Sequence, residues 1–504
     1  MASNFDYIIV GAGTAGCALA HRLTEDSDTH VLLLEAGGPD DNEAIHNPYR
    51  SLELYDSEID WGFETVPQPE LDDRRDYWPR GKVLGGSSSM NGMIHVRGHP
   101  SDFDHWADLG NDGWSYDDLL PYFKRHEHFE EGEQGYHGDG GPIHIIKETY
   151  GELGEAMMDA AMDALDVAWN DDYNGSTQKG VSRIQRTIKD GRRHSSAAAY
   201  IKPVLDRDNL TVRTNARVTD IRLAGDEVVG ISYRRDGRDH DISAQREVIV
   251  SAGAVQSPQL LMLSGIGPAD HLEEHEITVH VELPGVGHNL QNHLNTSVIY
   301  ESTASEPEEP APAVAFEWVD SNQPAPDMQY HLSPTFFLTD LGVDTSEVDG
   351  FTVAGNQQRP ESRGRITLRS PDPFDDPIID PQYLTEDRDV EMMIESVRRA
   401  RKIAKASPLD DYRGEEIRPG ADVQTATDIE AFARKSATTT HHPVGTCKMG
   451  NDEMAVVDER LRLHGVTGLR VVDASIMPTI SSGNTNAATL AIAEKAADLI
   501  REDQ

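Results

Sequence analysis

The sequence predicts an α/β fold with two domains, and three observations lead to this prediction. The chain has 504 residues, whereas a single hydrophobic core usually stops growing at roughly 250–300 residues. Near the N-terminus a short apolar run, a glycine-rich turn, a helical pattern and a second apolar run follow one another, which is typical of a parallel sheet. The pattern changes beyond about residue 302, so we expect a second, α+β domain with an antiparallel sheet flanked by helices.

The first element is a β-α-β unit. Tyr7–Val10 predicts a short buried strand, Ala15–Leu23 predicts the helix after the glycines, and Val31–Leu34 predicts a second buried strand. Further β-like runs occur much later in the chain, at 210–218, 228–233, 247–251 and 469–472. We therefore expect the nucleotide-binding domain to be assembled from discontinuous segments.

The middle of the chain has a different character. A stretch rich in Pro, Glu and Ala at about 302–326 predicts a loop or boundary. Met328–Leu332 and Arg365–Leu368 are predicted strands, and Asp389–Ala406 has helical spacing. Asn486–Ile500 predicts an amphipathic helix. We assign residues 1–150, 206–295 and 438–504 to the nucleotide-binding domain, and residues 151–205 and 296–437 to a substrate-binding domain.

The loop Gly11-Ala12-Gly13-Thr14-Ala15-Gly16 has the spacing of a Rossmann-like dinucleotide-binding turn. In such a turn Gly11 permits the tight bend, Gly13 lets the backbone approach a pyrophosphate, and Gly16 lets the helix pack closely on the strand. The free N–H groups at the start of the helix, around Thr14 and Ala15, are then available to the anion.

Glu35 and Ala36 follow the second strand, where the ribose of a dinucleotide is held. Glu35 stands nineteen residues after Gly16, which suits hydrogen bonding to ribose hydroxyls, and its charge would repel a 2′-phosphate. NADP is therefore disfavoured, but these residues leave FAD and NAD equally available.

The charge balance is strongly acidic. The chain carries 88 acidic and 45 basic residues, for a formal net charge of −43, and nucleic-acid binding is excluded because phosphates need a basic surface. The acidic residues are spread along the chain, which favours a halophile's surface, since dense carboxylates keep a protein solvated in concentrated salt. The alternative is an ordinary acidic cytosolic protein.

The composition also bears on membranes, metals and compartment. No apolar run reaches the roughly 18 residues that span a bilayer, and the N-terminus lacks a secretory signal pattern. With two cysteines, Cys17 and Cys447, neither a disulfide framework nor a thiolate zinc site is expected. We therefore predict a soluble cytoplasmic protein without a metal site, and leave peripheral membrane contact open.

Two long segments have a more specific pattern. They are Gly81–Asn91, followed by Gly98, Asp102 and Asp104, and Gly253–Gly267, with shorter matches at 362–364, 441–446 and 483–486. Together they resemble the signatures of the glucose-methanol-choline oxidoreductase family, in the style of its choline-dehydrogenase-like members, over nearly the whole chain. One departure is His95, where the first signature usually has an aromatic residue or Ala.

The resemblance implies that the dinucleotide is FAD and that the chain oxidises the CH–OH group of choline, a sugar or another primary or secondary alcohol. The matching cofactor contacts are Val83, Asn91 and Gly92 near the flavin ring, Val218 at the adenine, His441 through its backbone, and Asp473 and Ala474 after the last strand. Some relatives attach FAD through a His just before the signature Asn, where this chain has Met90. We therefore expect non-covalent FAD.

His442 and Asn486 match the family's catalytic pair. Alcohol oxidation by hydride transfer to flavin N5 needs a base for the hydroxyl proton and a donor for the alkoxide. An imidazole with a pKa near ~6.5 suits this task at neutral pH. Asn486 also has a simpler interpretation, because an Asn opening a helix is usually an N-cap. If that helix begins beneath the flavin, its positive end would favour the anionic reduced ring.

Several alternatives stay open at this stage. The same fold hosts redox-silent cyanohydrin lyases, and a flavin-binding protein without catalysis is a third possibility. The electron acceptor is either quinone-like or O₂, and similarity favours a dehydrogenase over an oxidase. Choline would need a carboxylate or an aromatic cage for its ammonium group, for which Glu317 and Trp318 are candidates.

Overall fold

The computed structural model describes residues 5–132, 135–304, 312–336 and 349–503. Its helices are α1 (Thr14–Leu23), α2 (Glu43–His46), α3 (Pro100–Asp108), α4 (Tyr116–His126), α5 (Glu152–Leu165), α6 (Gly253–Leu263), α7 (Ala269–Glu274), α8 (Asp387–Ala404), α9 (Ala426–Ser436) and α10 (Asn486–Glu502). Its strands are β1 (Phe5–Val10), β2 (Val31–Leu34), β3 (Phe63–Glu64), β4 (Tyr77–Trp78), β5 (Glu127–Phe129), β6 (Ile143–Lys147), β7 (Gly180–Ser182), β8 (Gln185–Arg186), β9 (Ile188–Lys189), β10 (Arg192–Arg193), β11 (Leu210–Arg213), β12 (Ala216–Ala224), β13 (Glu227–Arg235), β14 (Arg238–Ile242), β15 (Ala244–Val250), β16 (Ile266–Gly267), β17 (Val281–Glu282), β18 (Leu294–Ser302), β19 (Ala313–Glu317), β20 (Met328–Ser333), β21 (Gly350–Gln357), β22 (Arg365–Thr367), β23 (Ile378–Asp380), β24 (Arg413–Arg418), β25 (Thr438–Thr439) and β26 (Leu469–Val471).

A five-stranded parallel sheet forms the nucleotide-binding half. Its order is β11-β2-β1-β15-β26, and Ile8 of the central strand lies between Leu32 and Val248. These strands come from both ends and the middle of the chain, as predicted. The run at 210–218 is divided between β11 of this sheet and β12, which forms a separate antiparallel sheet with β13 and β14. The run at 228–233 lies in β13 and is therefore not part of the parallel sheet.

A seven-stranded sheet forms the second half. Its order is β24-β18-β21-β20-β19-β7, with β25 beside β18, and the pairings along it are antiparallel. Helices α5 and α8 pack on it through a separate apolar cluster. The predicted fold class, with an antiparallel sheet flanked by helices, is confirmed. The domain boundaries themselves stay a prediction.

One prediction for this half is wrong in detail, and one is confirmed. Within the stretch at 302–326 predicted as a loop, β19 is a fully buried strand paired with β20, because Ala-Val-Ala-Phe supplies apolar side chains to both faces; residues 305–311 lie outside the described residues. The strand predicted at Arg365–Leu368 is confirmed as β22, which pairs with β23 in a two-stranded ribbon outside the large sheet.

Helix α10 closes the nucleotide-binding half by packing on α1 and α4. It is buried almost all round, more deeply than the predicted amphipathic pattern. Its fully buried Glu494 accepts hydrogen bonds from Arg22 at 2.7 Å, Arg125 at 2.6 Å and Tyr200 Oη at 2.8 Å. These charged and polar partners compensate the burial of the carboxylate and tie the C-terminal helix to the N-terminal one.

In the described ranges no helix is both long and apolar enough to cross a bilayer.

Candidate functional site

One cavity of about 420 Å³ lies where the two halves meet, within the size range of about 300–1,000 Å³ usual for ligand sites. The first turns of α1, α6 and α10 reach it, and the large sheet contributes the opposite wall. Its lining includes Gly11, Gly13, Thr14, Ala15, Glu35, Ala36, Met90, Asn91, Gly92, Val218, Asn295, His331, Phe336, His441, His442, Asp473, Ala474, Asn484 and Asn486. Most of the site residues predicted from sequence are therefore brought together.

The glycine loop leaves no room for side chains. Gly11 has a φ of +98°, and a Cβ there would lie 2.5 Å from the carbonyl oxygen of Ser251. A Cβ on Gly16 would lie 1.9 Å from the carbonyl oxygen of Gly11, so the helix packs directly on the turn. Helix α1 begins at Thr14, and its N-cap residue Gly13 offers no side-chain cap. Its first N–H groups are therefore open to an anion at the cavity.

Glu35 lies at the end of β2 beside this loop. Its carboxylate accepts hydrogen bonds from the backbone N–H of Ala12 at 3.0 Å and of Gly37 at 2.8 Å. Burial raises the pKa of Glu35 to about 7, although these N–H groups oppose the shift. Ala36 and Val218 line the cavity next to it. This end of the cavity fits the ribose and adenine of a dinucleotide.

The signature segment at 81–92 forms another wall. Asn91 Oδ1 accepts hydrogen bonds from the backbone N–H of Met93 and from Arg193 Nη1, each at 3.0 Å. Val83, by contrast, is fully buried in a cluster with Ile45 and Leu54 and is not among the cavity-lining residues, nor is Gly16. The Val83 side chain thus packs into this cluster, and the predicted place of Val83 near the flavin ring stays a prediction.

Asp473 links the start of α6 to the chain segment that follows β26. Its carboxylate accepts hydrogen bonds from the N–H of Gly253 at 2.8 Å, the hydroxyl of Ser257 at 2.6 Å and the N–H of Ser475 at 2.8 Å. It therefore orients the first turn of α6 and holds Ala474 at the cavity surface.

His442 presents its imidazole at the centre of the cavity wall. Its Nε2 lies 3.0 Å from Asn484 Nδ2, and its Nδ1 lies 3.0 Å from Thr440 Oγ1 and 3.1 Å from His293 Nδ1. Burial, followed by the neighbouring His293 and other basic groups, lowers the pKa of His442 well below its usual value. This direction departs from the ordinary value near ~6.5 expected from the sequence and favours the neutral ring.

The structure does not bring His442 and Asn486 together. Asn486 is the first residue of α10, and its Oδ1 accepts a hydrogen bond from Thr14 Oγ1 at 2.8 Å. The amide beside His442 belongs to Asn484, two residues earlier in the same motif. The first turn of α10 directs the Asn486 side chain back toward α1, so the predicted pairing of His442 with Asn486 is not seen and the amide next to His442 is that of Asn484. Asn486 is not the N-cap either, since Thr485 occupies that position.

Three further residues at the site were missed by sequence reasoning. His293 contacts His442, as described above. Arg80 donates a hydrogen bond to the carbonyl oxygen of His441 at 2.7 Å and thereby supports the left-handed φ of +67° at that residue. Arg193 donates to the carbonyl oxygen of Asn91 at 2.6 Å. Nothing in the local sequence marks them, since each acts across more than 80 residues of chain.

His95, the departure from the first signature, lies away from the cavity in a buried polar cluster. Its Nε2 lies 3.0 Å from Glu127, and His126 is near enough for the three side chains to form a potential metal-binding group. The guanidinium of Arg97 already takes both carboxylate oxygens of Glu127, at 2.8 and 2.5 Å. We therefore assign His95 to a structural ion-pair cluster.

Comparison with known proteins identifies the family of the chain. Two models described as GMC oxidoreductase match residues 5–295 and 360–493. The chain is 42% identical to an oxygen-dependent choline dehydrogenase of Sinorhizobium fredii, covering 98% of this chain and 95% of the relative, and 41% identical to the mitochondrial choline dehydrogenase of Mus musculus, covering 99% and 89%.

Solved structures with the same fold include pyridoxine 4-oxidase from Mesorbium loti, with a TM-score of 0.95, 35% identity and 99% coverage of both chains. A formate oxidase of Aspergillus oryzae has a TM-score of 0.92 and 27% identity, covering 100% of this chain and 99% of the other. The predictions of FAD and of alcohol oxidation are confirmed, and the lyase alternative is not favoured. The chain therefore belongs to the GMC oxidoreductase family and is an FAD-dependent oxidoreductase that acts on alcohols.

Proposed function

We propose that this chain is a dehydrogenase for a small primary alcohol, with His442 as the base and Asn484 as the donor that holds the alcohol oxygen. The contact of a neutral imidazole Nε2 with an amide Nδ2, 3.0 Å apart in the cavity wall, is the observation that carries this proposal. A substrate hydroxyl that reaches both groups from the cavity and replaces their direct contact donates its proton to His442 Nε2 and accepts a hydrogen bond from Asn484. Bound FAD would supply the acceptor for the hydride of the carbinol carbon.

Asn484 is held in the orientation that this role needs. Gln329 Nε2 donates a hydrogen bond to Asn484 Oδ1 at 3.3 Å, so the amide presents its N–H groups toward His442. The uncapped start of α10 lies beside it, and its positive end favours the negative charge that reduction adds to the flavin ring.

The cofactor contacts are proposed from the lining. The N-terminus of α1, with Gly11, Gly13, Thr14 and Ala15, would hold the pyrophosphate, and the residues placed around it would hold the remaining parts of FAD: Glu35 and Ala36 the ribose, Val218 the adenine, and Asn91, Gly92, His441, Asp473 and Ala474 the flavin end. Met90 is buried at the cavity in place of a tethering His, so we propose non-covalent FAD. Yellow colour remaining in an acid-precipitated pellet would contradict this.

For the substrate we propose an uncharged alcohol that carries an aromatic or heterocyclic ring, as the name of the 35% identical pyridoxine 4-oxidase suggests, with choline as the second candidate. Asn295 and His331 of the large sheet line the cavity, and burial lowers the pKa of His331 to about 4, so this wall is neutral. Among the described lining residues the carboxylates are Glu35 and Asp473, both at strand ends of the parallel sheet. Glu317 is engaged by Tyr330 and Arg399 outside the lining and is an unsuitable partner for choline.

The choline alternative is supported by the names of the relatives at 41–42% identity and by the aromatic rings of Tyr55 and Phe336 in the lining. Mixing the holoenzyme anaerobically with 3-pyridinemethanol, benzyl alcohol or choline distinguishes the two. We expect the ring-bearing alcohols to bleach the flavin faster than choline. Faster bleaching by choline would reverse the order of the candidates, and bleaching by none of them would contradict the proposed chemistry.

The acceptor is proposed to be a quinone-like compound and not O₂. Turnover with an artificial quinone in air and under nitrogen tests this, because an oxidase would turn over rapidly in air without the quinone.

We also propose that the chain is adapted to concentrated salt and works in the cytoplasm. The net charge of −43 produces self-repulsion that about 1 M salt screens over roughly 3 Å, and Cys17 and Cys447 are both buried free thiols. We expect the thermal midpoint of the holoenzyme to rise steeply between dilute buffer and molar KCl. Full stability in dilute buffer would contradict the adaptation to salt.

A further inference from the structure

His293 is buried directly behind the proposed base, on the side away from the cavity lining. Its side chain is 0% exposed, and its Nε2 lies 3.1 Å from the backbone carbonyl oxygen of Gln358. A carbonyl oxygen can only accept a hydrogen bond, so Nε2 carries the proton of the neutral ring. The other ring nitrogen of His293, Nδ1, therefore carries a lone pair and can only accept a hydrogen bond.

That lone pair faces His442. The two Nδ1 atoms are 3.1 Å apart, and one hydrogen bond between them requires that one nitrogen donates. Since His293 has its proton on Nε2, the donor is His442 Nδ1. Its neutral ring then has the lone pair on Nε2, which is the atom that contacts Asn484.

A second contact leads to the same tautomer independently. Thr440 Oγ1 lies 3.0 Å from His442 Nδ1 and donates its own proton to the carbonyl oxygen of His293 at 3.2 Å. The Thr440 hydroxyl consequently offers a lone pair to His442. Both neighbours of His442 Nδ1 are acceptors, so the opposite tautomer would place lone pairs against each other on this side of the ring.

The surroundings keep both rings neutral. Burial lowers the pKa of His293 to about 3. The titratable groups that face His442 are His293, His441, Arg80 and His331, and each of them lowers the pKa of His442 after burial itself. When His442 Nε2 takes a proton from an alcohol, the other ring nitrogen, Nδ1, already carries a proton that it donates to His293.

We propose that His293 is a positioning residue that holds His442 as the Nδ1–H tautomer and so directs the basic Nε2 lone pair at the substrate hydroxyl. The chain of contacts runs from the carbonyl of Gln358 through His293 to His442, with neutral groups throughout. The inference rests on the proposed role of His442 as the base.

Nitrogen NMR of the holoenzyme labelled with ¹⁵N-histidine tests the tautomer directly, because protonated and lone-pair ring nitrogens have well-separated shifts. The signals of His442 are those missing from His442→Gln. We expect a protonated Nδ1 and a lone-pair Nε2 in the wild-type protein, and a mixture of tautomers in His293→Leu. A protonated Nε2 in the wild-type protein would overturn the proposal.

The kinetic test compares two substitutions at one position. His293→Leu removes the acceptor for the His442 Nδ1 proton, and we expect the rate of flavin reduction at saturating alcohol to fall about 10- to 100-fold. This loss is smaller than that expected for removal of the base, because Thr440 Oγ1 can still accept a hydrogen bond from His442 Nδ1. His293→Asn keeps an acceptor oxygen near the position of Nδ1 and is expected to restore the rate to within about threefold. The alcohol concentration for half-saturation stays unchanged in both variants.

His126→Leu is the matched control, since His126 is equally buried but lies outside the cavity lining; its flavin-reduction rate should equal that of the wild type. A His293→Leu rate within about twofold of wild type, in a variant that retains FAD, would overturn the proposal. If the His293→Leu variant does not retain FAD, the nitrogen NMR measurement of the His442 tautomer in the wild-type protein decides whether the proposal holds. Wild-type reduction rates in His442→Gln would instead overturn the proposed function itself.

Discussion

The His442→Ala variant is expected to reduce its flavin about 10²–10⁴-fold more slowly than the wild-type enzyme, the contribution usual for a positioned general base. The imidazole is the group whose Nε2 contacts Asn484 in the cavity wall, and alanine leaves no atom to take the hydroxyl proton. Anaerobic stopped-flow mixing with the best alcohol measures this rate. FAD content should stay at the wild-type level, because the glycine loop and α1 are untouched.

Two asparagine variants serve as controls for this result. Asn484→Ala removes the amide beside His442, and we expect flavin reduction to slow about 10²-fold, as for loss of one oxyanion donor. Asn486→Ala removes the contact with Thr14 and should weaken FAD binding more than it slows reduction of the FAD that remains bound. If Asn486→Ala slowed reduction as much as Asn484→Ala, the pairing of Asn484 with His442 would be the wrong basis for the mechanism.

The second large effect is expected for Gly16→Ala. The added Cβ would lie 1.9 Å from the carbonyl oxygen of Gly11 and 3.3 Å from Ile9 Cγ2, so the turn has to move away from the helix. Such overpacking costs about 1–3 kcal/mol, and a turn displaced from the start of α1 loses its fit to the pyrophosphate. We expect FAD affinity to fall about 10- to 100-fold, together with a lower thermal midpoint.

Fluorescence titration of the apoprotein with FAD measures this affinity. Gly140→Ala is the matched control, because a Cβ there meets no atom within 4 Å. Equal FAD affinity in the two variants would show that close packing at Gly16 does not shape the site.

Local sequence was sufficient for the elements in which each residue acts on its near neighbours. The β1-α1-β2 unit was predictable because buried apolar runs flank glycines whose spacing is set by backbone sterics within one turn. Helix α8 was predictable to within two residues from its periodicity. The resemblance then supplied FAD and His442, which no spacing argument could have chosen from 21 histidines.

Contacts between distant segments were not predictable in the same way. The prolines and acidic residues before β19 made this segment look like a loop. Its pairing with β7 and β20 depends on contacts between segments that are distant in sequence. Asn484 and not Asn486 lies beside His442 because of the way in which the first turn of α10 is oriented against α1. His293, 149 residues from His442, has no sequence signal beyond being a histidine near a predicted boundary.

The order of the parallel sheet also has a consequence for biosynthesis. β1 and β2 leave the ribosome well before β26 and α10, and the docking of Glu494 on Arg22 must await these later segments. Until then the edge of β15 is unpaired, which exposes the nascent chain to aggregation. Loading of FAD is therefore expected to follow translation and not to accompany it.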